Sequence, residues 1–389
     1  MDFTLNDEQK MLIDTIRTMG EREKFRDLAK RIDETAEFPW ELLKKYADLG
    51  LLGMTLSPAH GGGGQSALNA ILVIEELAKF SPMIAAPVFE SSVGPVRVID
   101  IFGTDEQKQA VLPGVCRGEL SVSVCMTEPE AGSDLTALTT NAEEEGDHYV
   151  LNGRKSFITG GGHASHYMVY TRFGKVKGYK GIGGLLVEKG MPGFTFGKQE
   201  RYMGLHGMPS CDLFFDNVKV PKKNLVIKPG DFNKLMLTFD IERCGNSAMC
   251  LGVAGGALNE AKAYAMERHA FGRPICEFQN IQFTTVDMAT KLDAARLLVY
   301  RAAAGAGQGL PSMYEAGMAK AFANEMVVSV TESAMQIFGG YGYSTEFPIE
   351  RMYRDAKAWC VAGGTIQMLK IGTASMIYGR RFDQRRSSS

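Results

Sequence analysis

The hydrophobic period of this chain changes twice along its length, and that limits the folds open to it. From residue 5 to about 120 apolar residues recur at helical spacing, and between 121 and 220 the period falls to two. After about Gly230 helical spacing returns and runs to the end. Helices gathered before and after a block of strands do not wind a βαβ sheet, so no Rossmann fold is expected. The pattern predicts an α+β multidomain protein. An N-terminal α-helical domain covers 1–120, a middle antiparallel β-barrel or sheet domain 121–229, and a C-terminal four-helix bundle 230–389. With 389 residues, 45% of them hydrophobic, the chain can fill such cores.

Local signals place the elements. Asn6 can cap a helix running to about residue 30, and residues 71–77 read as a largely buried helix. Thr104-Asp105-Glu106-Gln107 has the form of a capping box. Short strands are expected at 148–151, 156–159, 167–170, 184–187 and 213–215, separated by Gly, Asn and Asp turns. The closing bundle is expected from helices over 231–269, 278–307, 312–338 and 364–380. The glycine run 61–64 reads as a flexible loop. No Lys-Ser or Lys-Thr pair follows it, so a phosphate grip is not expected.

Composition narrows the function classes. The net charge is −2 with Lys and Arg dispersed, which makes no electrostatic case for nucleic acid or an anionic membrane. Seven cysteines, with no CxxC pair, suit free thiols of a reducing compartment better than a disulfide frame or zinc site. There is no apolar span of 18 residues, and the acidic, helix-capping start at residues 1–9 is unlike a targeting peptide. Cytoplasm is the expected location.

The richest local signal is the run 126–134, Met-Thr-Glu-Pro-Glu-Ala-Gly-Ser-Asp, which follows the alternating Ser121-Val122-Ser123-Val124-Cys125. A strand delivering Thr127, Ser133 and free backbone donors into a turn suits a flat, polar-edged heterocycle or a cofactor phosphate. Pro129 fixes φ there, and Gly132 permits a conformation closed to other residues.

Four separated motifs then point one way. Residues 125–128 with 131–134 resemble the first signature of the acyl-CoA dehydrogenases, and Gln336-Ile337-Phe338-Gly339-Gly340-Tyr341-Gly342-Tyr343 with Glu346, Arg351 and Asp355 resembles the second. Arg268-His269-Ala270-Phe271-Gly272 with Phe278-Gln279 is similar to the segment reaching the flavin of a neighbouring subunit. Phe157-Ile158-Thr159-Gly160-Gly161 is similar to the strand covering the isoalloxazine. The resemblance spans about residues 5–380 and implies FAD. It places Met126, Thr127, Phe157, Thr159 and Thr365 around the flavin, and Ser133 on a flavin phosphate or the CoA portion of the substrate. Phe157 stands where the family usually has Trp. Arg268, Phe271, Gln279, Gln336 and Gly340 would serve the pyrophosphate and adenine side, partly across a subunit boundary, so a homotetramer is expected. Asp240 and Arg243 would lie beside CoA.

One part of the pattern is missing. The family's usual base, nine residues beyond the Arg of an Arg-Asp-Ala run, falls on Gly363 when counted from Arg354, and the chain is two residues short after Thr365. Breaking a C–H bond α to a thioester requires a carboxylate close to the carbon. Glu242, beside Arg243, matches the relocated base of the isovaleryl-CoA and long-chain branches and suits a branched or alicyclic acyl group. Glu90, in an apolar helix, would instead suit 1,4-dehydrogenation of a cyclic enoyl-CoA, as in the cyclohexene-carboxyl-CoA dehydrogenases. The Ala-Gly-Gly-Thr run also resembles base-less sulfinopropionyl-CoA desulfinases, but their pocket Arg corresponds to Ala86 and residues 81–92 contain no cation. Three readings therefore stand: an acyl-CoA dehydrogenase passing electrons to an electron-transferring flavoprotein, a desulfinase-like elimination, and a non-catalytic subunit binding FAD or CoA.

Overall fold

The computed structural model describes residues 4–307 and 309–382, so the outermost residues of the expected first and third domains lie outside the described residues. Seven helices come first: α1 (Asp7–Arg22), α2 (Phe25–Thr35), α3 (Glu41–Asp48), α4 (Ala67–Ala78), α5 (Pro82–Ser92), α6 (Val96–Phe102) and α7 (Asp105–Cys116). Asn6 caps α1 and Thr104 caps α7, each in a full capping box with the glutamine three residues on. The helix expected to reach residue 30 is two helices. Lys24 takes a left-handed φ of 53° between them, and the turn brings Phe25 into the core at 1% exposure. The glycine run is pinned rather than flexible: Gly63 N donates to Gly53 O and Gly64 N to Leu56 O.

The middle segment carries β1 (Val122–Cys125), β2 (Asn141–Glu145), β3 (His148–Thr159), β4 (His166–Phe173), β5 (Ile182–Glu188), β6 (Phe194–Gln199), β7 (Ser210–Pro221) and β8 (Leu225–Ile227). The sheet is open and mixed, in the order β6-β7-β3-β2-β4-β5-β8, so neither the barrel nor a purely antiparallel sheet is found. The reason is β4. Its first half pairs in parallel with β1, and its end pairs in parallel with the start of β2, so two incoming strands share it. The strands expected at 148–151 and 156–159 are one strand, β3, broken by two irregularities against β7.

The last segment holds α8 (Phe232–Glu267), α9 (Gln279–Ala306), α10 (Met313–Phe338), α11 (Ile349–Trp359) and α12 (Ile366–Ile377). Among the described residues the expected four helices become five, because α11 follows a Gly- and Pro-rich stretch that reads as loop. Between α8 and α9 a two-residue ribbon pairs His269–Ala270 with Arg273–Pro274. The first and last helical segments are separate in sequence but share one core. Ile71, Ile74 and Val88 pack in the same cluster as Ala248, Leu251, Val299 and Val327. Buried Glu75 of α4 ties them together, accepting from Arg296 Nη2 (2.8 Å) and Tyr300 OH (2.7 Å) of α9.

Candidate active site

β1 ends at Cys125 and releases the loop that begins with Met126 and Thr127. Lys155 holds that loop, its fully buried ammonium donating to Met126 O (3.0 Å) and Glu128 Oε1 (2.8 Å). Glu128 accepts further bonds from Thr139 N, Thr139 Oγ1 and Thr140 N. Burial pushes the Glu128 carboxyl up, but Lys155 and these donors bring it down to about 2. Ser156 N donates to Thr127 O, and the Thr127 hydroxyl bonds no described residue. The turn itself is Pro129-Glu130, closed by paired bonds between Glu128 and Ala131. Gly132 makes no use of a positive φ, contrary to expectation, and Ser133 beside it is exposed.

Phe157 sits in the second irregularity of β3 with φ 58° and 61% exposure. A non-glycine residue held left-handed in a strand, with its ring presented to solvent, marks a constrained site. Next to it the Ser156 hydroxyl is buried without a hydrogen-bond partner. Thr159 and Gly160 line a cavity of about 100 Å³ between the sheet and α5, whose wall also includes Ser123, Ala86 and Glu90. Trp40 stacks on His163 at its rim, with ring centroids 5.2 Å apart.

The two candidate bases come together. α5 and α8 pack so closely that a Cβ on Gly245 would meet the Phe89 ring and the Val93 side chain at 2.7 Å. That contact puts Glu90 and Glu242 within electrostatic reach. Burial and then the Glu242 charge push Glu90 up to about 8. Burial likewise pushes Glu242 up to about 7, against the pull of Lys320 and Arg243. Neither carboxyl forms a hydrogen bond or ion pair with a described residue.

Gly363 and Gly364 both have left-handed φ, 64° and 92°. A Cβ on Gly363 would lie 2.7 Å from Asn246 Nδ2 and 3.5 Å from Lys320 Cε. The slot of a side chain at 363 is thus filled from α8 and α10. Lys320 is fully buried and donates to Ala362 O (2.8 Å) and Gly364 O (3.2 Å), fixing the loop. Thr365 uses its hydroxyl to accept from Met368 N and cap α12. Lys320, Asn246 and Lys155 escaped sequence reading. Lys320 carries one sequence signal, a charge inside an apolar stretch at Ala319-Lys320-Ala321, whereas Lys155 and Asn246 sit among polar and small neighbours.

Asp240 is 1% exposed and pairs with Arg243 one turn on. Arg243 Nε is buried and unpartnered. On another surface Arg268, Gly340, Tyr341 and Glu346 line an open groove of about 620 Å³. Gln279 and Gln336 are exposed at the start of α9 and near the end of α10, outside the groove lining. Phe271 projects from the ribbon, 95% exposed, with φ 51°. The groove and the α5 cavity share no lining residue. The exposed Phe157, the free Thr127 hydroxyl and the orphaned Ser156 hydroxyl fit a flat ring with a polar edge.

Family models for the N-terminal, middle and C-terminal domains of acyl-CoA dehydrogenase match residues 6–119, 123–218 and 232–376. The short-chain-specific acyl-CoA dehydrogenase of Clostridium acetobutylicum is 39% identical over 379 residues, covering 97% of this chain and all of that protein. A 3-sulfinopropanoyl-CoA desulfinase of Variovorax paradoxus is 38% identical, covering 93% and 92%. A solved structure described as the electron-transferring flavoprotein of Acidaminococcus fermentans superposes with TM-score 0.93 at 40% identity, covering 97% of this chain and 99% of that one. The chain belongs to the acyl-CoA dehydrogenase family, the FAD-dependent oxidoreductases that act on CH–CH groups.

Proposed function

We propose that this protein dehydrogenates a branched or alicyclic acyl-CoA, with Glu242 as the base that removes the α-proton. The observation that carries this reading is the pairing of Glu242 with Glu90 across α8 and α5, beside a base position that is Gly363 and already filled. FAD, when bound, supplies the acceptor for the hydride equivalent. Met126, Thr127, Phe157, Thr159 and Ser133 would hold it from the sheet. Arg268, Phe271, Gln279, Gln336 and Gly340 would serve its far end in a neighbouring protomer.

Two carboxyls in one apolar site separate into one acid and one base. Glu242, near 7 and facing the Lys320 and Arg243 cations, is the member that ionises first. Glu90, near 8, keeps its proton at neutral pH. A base with its affinity raised in this way is better matched to a weakly acidic C–H bond than an ordinary glutamate. Arg243, steadied by Asp240, would meet the CoA portion. A second reading has its own support: Glu90 lines the α5 cavity, where it would serve as base for 1,4-dehydrogenation of a cyclic enoyl-CoA. Desulfination is disfavoured, since Ala86 faces that cavity and no Lys or Arg lines it.

Electrons would leave to an electron-transferring flavoprotein, consistent with the similarity to the Acidaminococcus fermentans structure. A homotetramer is supported by the outward-facing Phe271, Phe283 and Val286, which are 61–95% exposed in the single chain. Free thiols at all seven cysteines suit the cytoplasm, and no described helix is long and apolar enough to cross a membrane. The test is anaerobic bleaching of the FAD absorbance with straight, branched and cyclic acyl-CoAs, in wild type, Glu242→Gln and Glu90→Gln. Loss of bleaching in Glu242→Gln alone supports the main reading, and loss in Glu90→Gln alone supports the second. Unchanged rates in both variants defeat both base assignments. A wild type that holds FAD yet bleaches with no acyl-CoA indicates a non-catalytic subunit.

A further inference from the structure

Asn246 is 4% exposed, and its side-chain amide makes no hydrogen bond to any described residue. It lies one turn beyond Glu242 on the same face of α8. Its Nδ2 occupies the slot beside Gly363, 2.7 Å from where a Cβ there would stand. The polar groups around it are committed elsewhere or equally unpartnered. Lys320 Nζ donates to Ala362 O and Gly364 O and Arg243 Nη1 to Asp240, which leaves Arg243 Nε without a partner. Glu90 and Glu242 also have no hydrogen-bond partner among the described residues, so the unpartnered amide of Asn246 stands between the loop at Gly363 and an unpartnered carboxyl one turn back on α8. Buried polar groups are normally paired, and orphaned ones point to a ligand.

A plain hydrocarbon acyl group would leave the Asn246 amide against methylenes, with its donors and acceptor unmet. We infer that Asn246 is a specificity residue that hydrogen-bonds an uncharged oxygen substituent of the acyl group. The substrate class is then a hydroxy- or oxo-substituted branched or alicyclic acyl-CoA, with the oxygen a few bonds beyond the α-carbon. A carboxylate or sulfinate substituent fits less well, because it would lie beside the Glu242 carboxyl one turn back on the same helix. The location of the reacting carbons rests on the reading of Glu242 as base. The preference for an oxygenated acyl group does not.

A site built to bond a substrate oxygen discriminates strongly against the analogue that lacks it. The experiment uses the FAD-loaded enzyme with matched pairs: cyclohexanecarbonyl-CoA against its 3-hydroxy, 4-hydroxy and 4-oxo derivatives. Binding is read from perturbation of the flavin spectrum, and reaction from anaerobic bleaching. Wild type is expected to favour at least one oxygenated partner by tenfold or more in bleaching rate over Kd. Asn246→Leu, which keeps the branched shape but not the polar atoms, is expected to erase that preference while still bleaching with the unsubstituted thioester. FAD content and melting temperature establish that the variant is folded, and the wild-type binding preference stands as a test even if it is not. Equal handling of every pair by wild type overturns the inference. So does an Asn246→Leu variant that keeps the preference, or one that slows every thioester by the same factor, since the amide would then serve Glu242 or the thioester carbonyl. If Glu242→Gln bleaches normally while the preference still depends on Asn246, the base assignment fails and the specificity residue survives.

Discussion

Restoring a carboxylate at position 363 is the obvious way to rebuild the usual active site, and the structure predicts that it fails. Gly363 has φ 64°, a conformation that costs an L-residue about 1–2 kcal/mol. Its Cβ would stand 2.7 Å from Asn246 Nδ2, the tip of a side chain that can give way in part, so overpacking adds at most about 1–3 kcal/mol. Gly363→Ala is therefore expected to lose roughly 1–5 kcal/mol of stability without introducing a charge. Gly363→Glu should lose at least as much and bleach no faster than wild type. Adding Asn246→Ala should return the packing part, at most about 1–3 kcal/mol, and leave the backbone part, so the cycle separates the two. Urea unfolding of the FAD-loaded protein, followed by tyrosine and tryptophan fluorescence and by FAD release, measures each step. A Gly363→Ala variant as stable as wild type would refute the left-handed, filled slot. A Gly363→Glu variant that bleaches tenfold faster at unchanged stability would refute it from the other side.

The acid–base groups set a narrow pH window. Flavin bleaching should rise through about 7 as Glu242 ionises and fall above about 8, where Glu90 gains charge and Lys320, lowered by burial to about 8, loses it; a flat profile from pH 6 to 9 contradicts this. Both carboxyls are raised in the folded state, so the stability they confer is complete below pH 4.5 and lost as pH rises through 7 and 8. Replacing both by Gln should flatten that decline in unfolding measured from pH 5 to 9. Gly245→Ala forces the Phe89 ring away from α8 and should cost about 1–3 kcal/mol. It should also slow bleaching, because it separates Glu90 from Glu242; unchanged rate and stability would show that the helices do not meet there. Lys155→Met leaves Glu128 buried without its cation, which should cost about 3–5 kcal/mol and release FAD. A variant that retains FAD through gel filtration contradicts the bracing role.

Local chemistry made much of the fold legible. The capping boxes at Asn6 and Thr104 need only residues three apart, and a period of two survives even in a bulged strand such as β3. The break at Lys24 was not legible, because it serves Phe25, whose partner Phe80 lies far along the chain. The mixed pairing of β4 depends on which strands arrive beside it, and alternation carries no direction. At the site, the absence of a carboxylate at 363 could be read by counting, Glu90 stood out as a charge in an apolar helix, and Glu242 was marked by the resemblance around Arg243. What fills the vacant slot could not be read, since Asn246 and Lys320 come from two helices that only tertiary packing brings to the loop.

Those two residues alter what the loss of the base means. A glycine at 363 without compensation would open a void between α8, α10 and the loop, and a void in a packed interior is destabilising. Here the space is closed by a carboxamide and the stem of a buried lysine, and the lysine ammonium ties down the carbonyls on both sides of the glycine. The same ammonium faces Glu242 and favours its charged form, so the group that stabilises the vacated loop also supports the carboxylate one helix away. If Glu242 is the base, as proposed, the change from the usual arrangement involves several residues rather than a single exchange. Gly363, Asn246, Lys320 and Glu242 are physically coupled. Substitutions at Gly363, Asn246 and Lys320 should be non-additive in stability, and a carboxylate restored at 363 alone works against that packing.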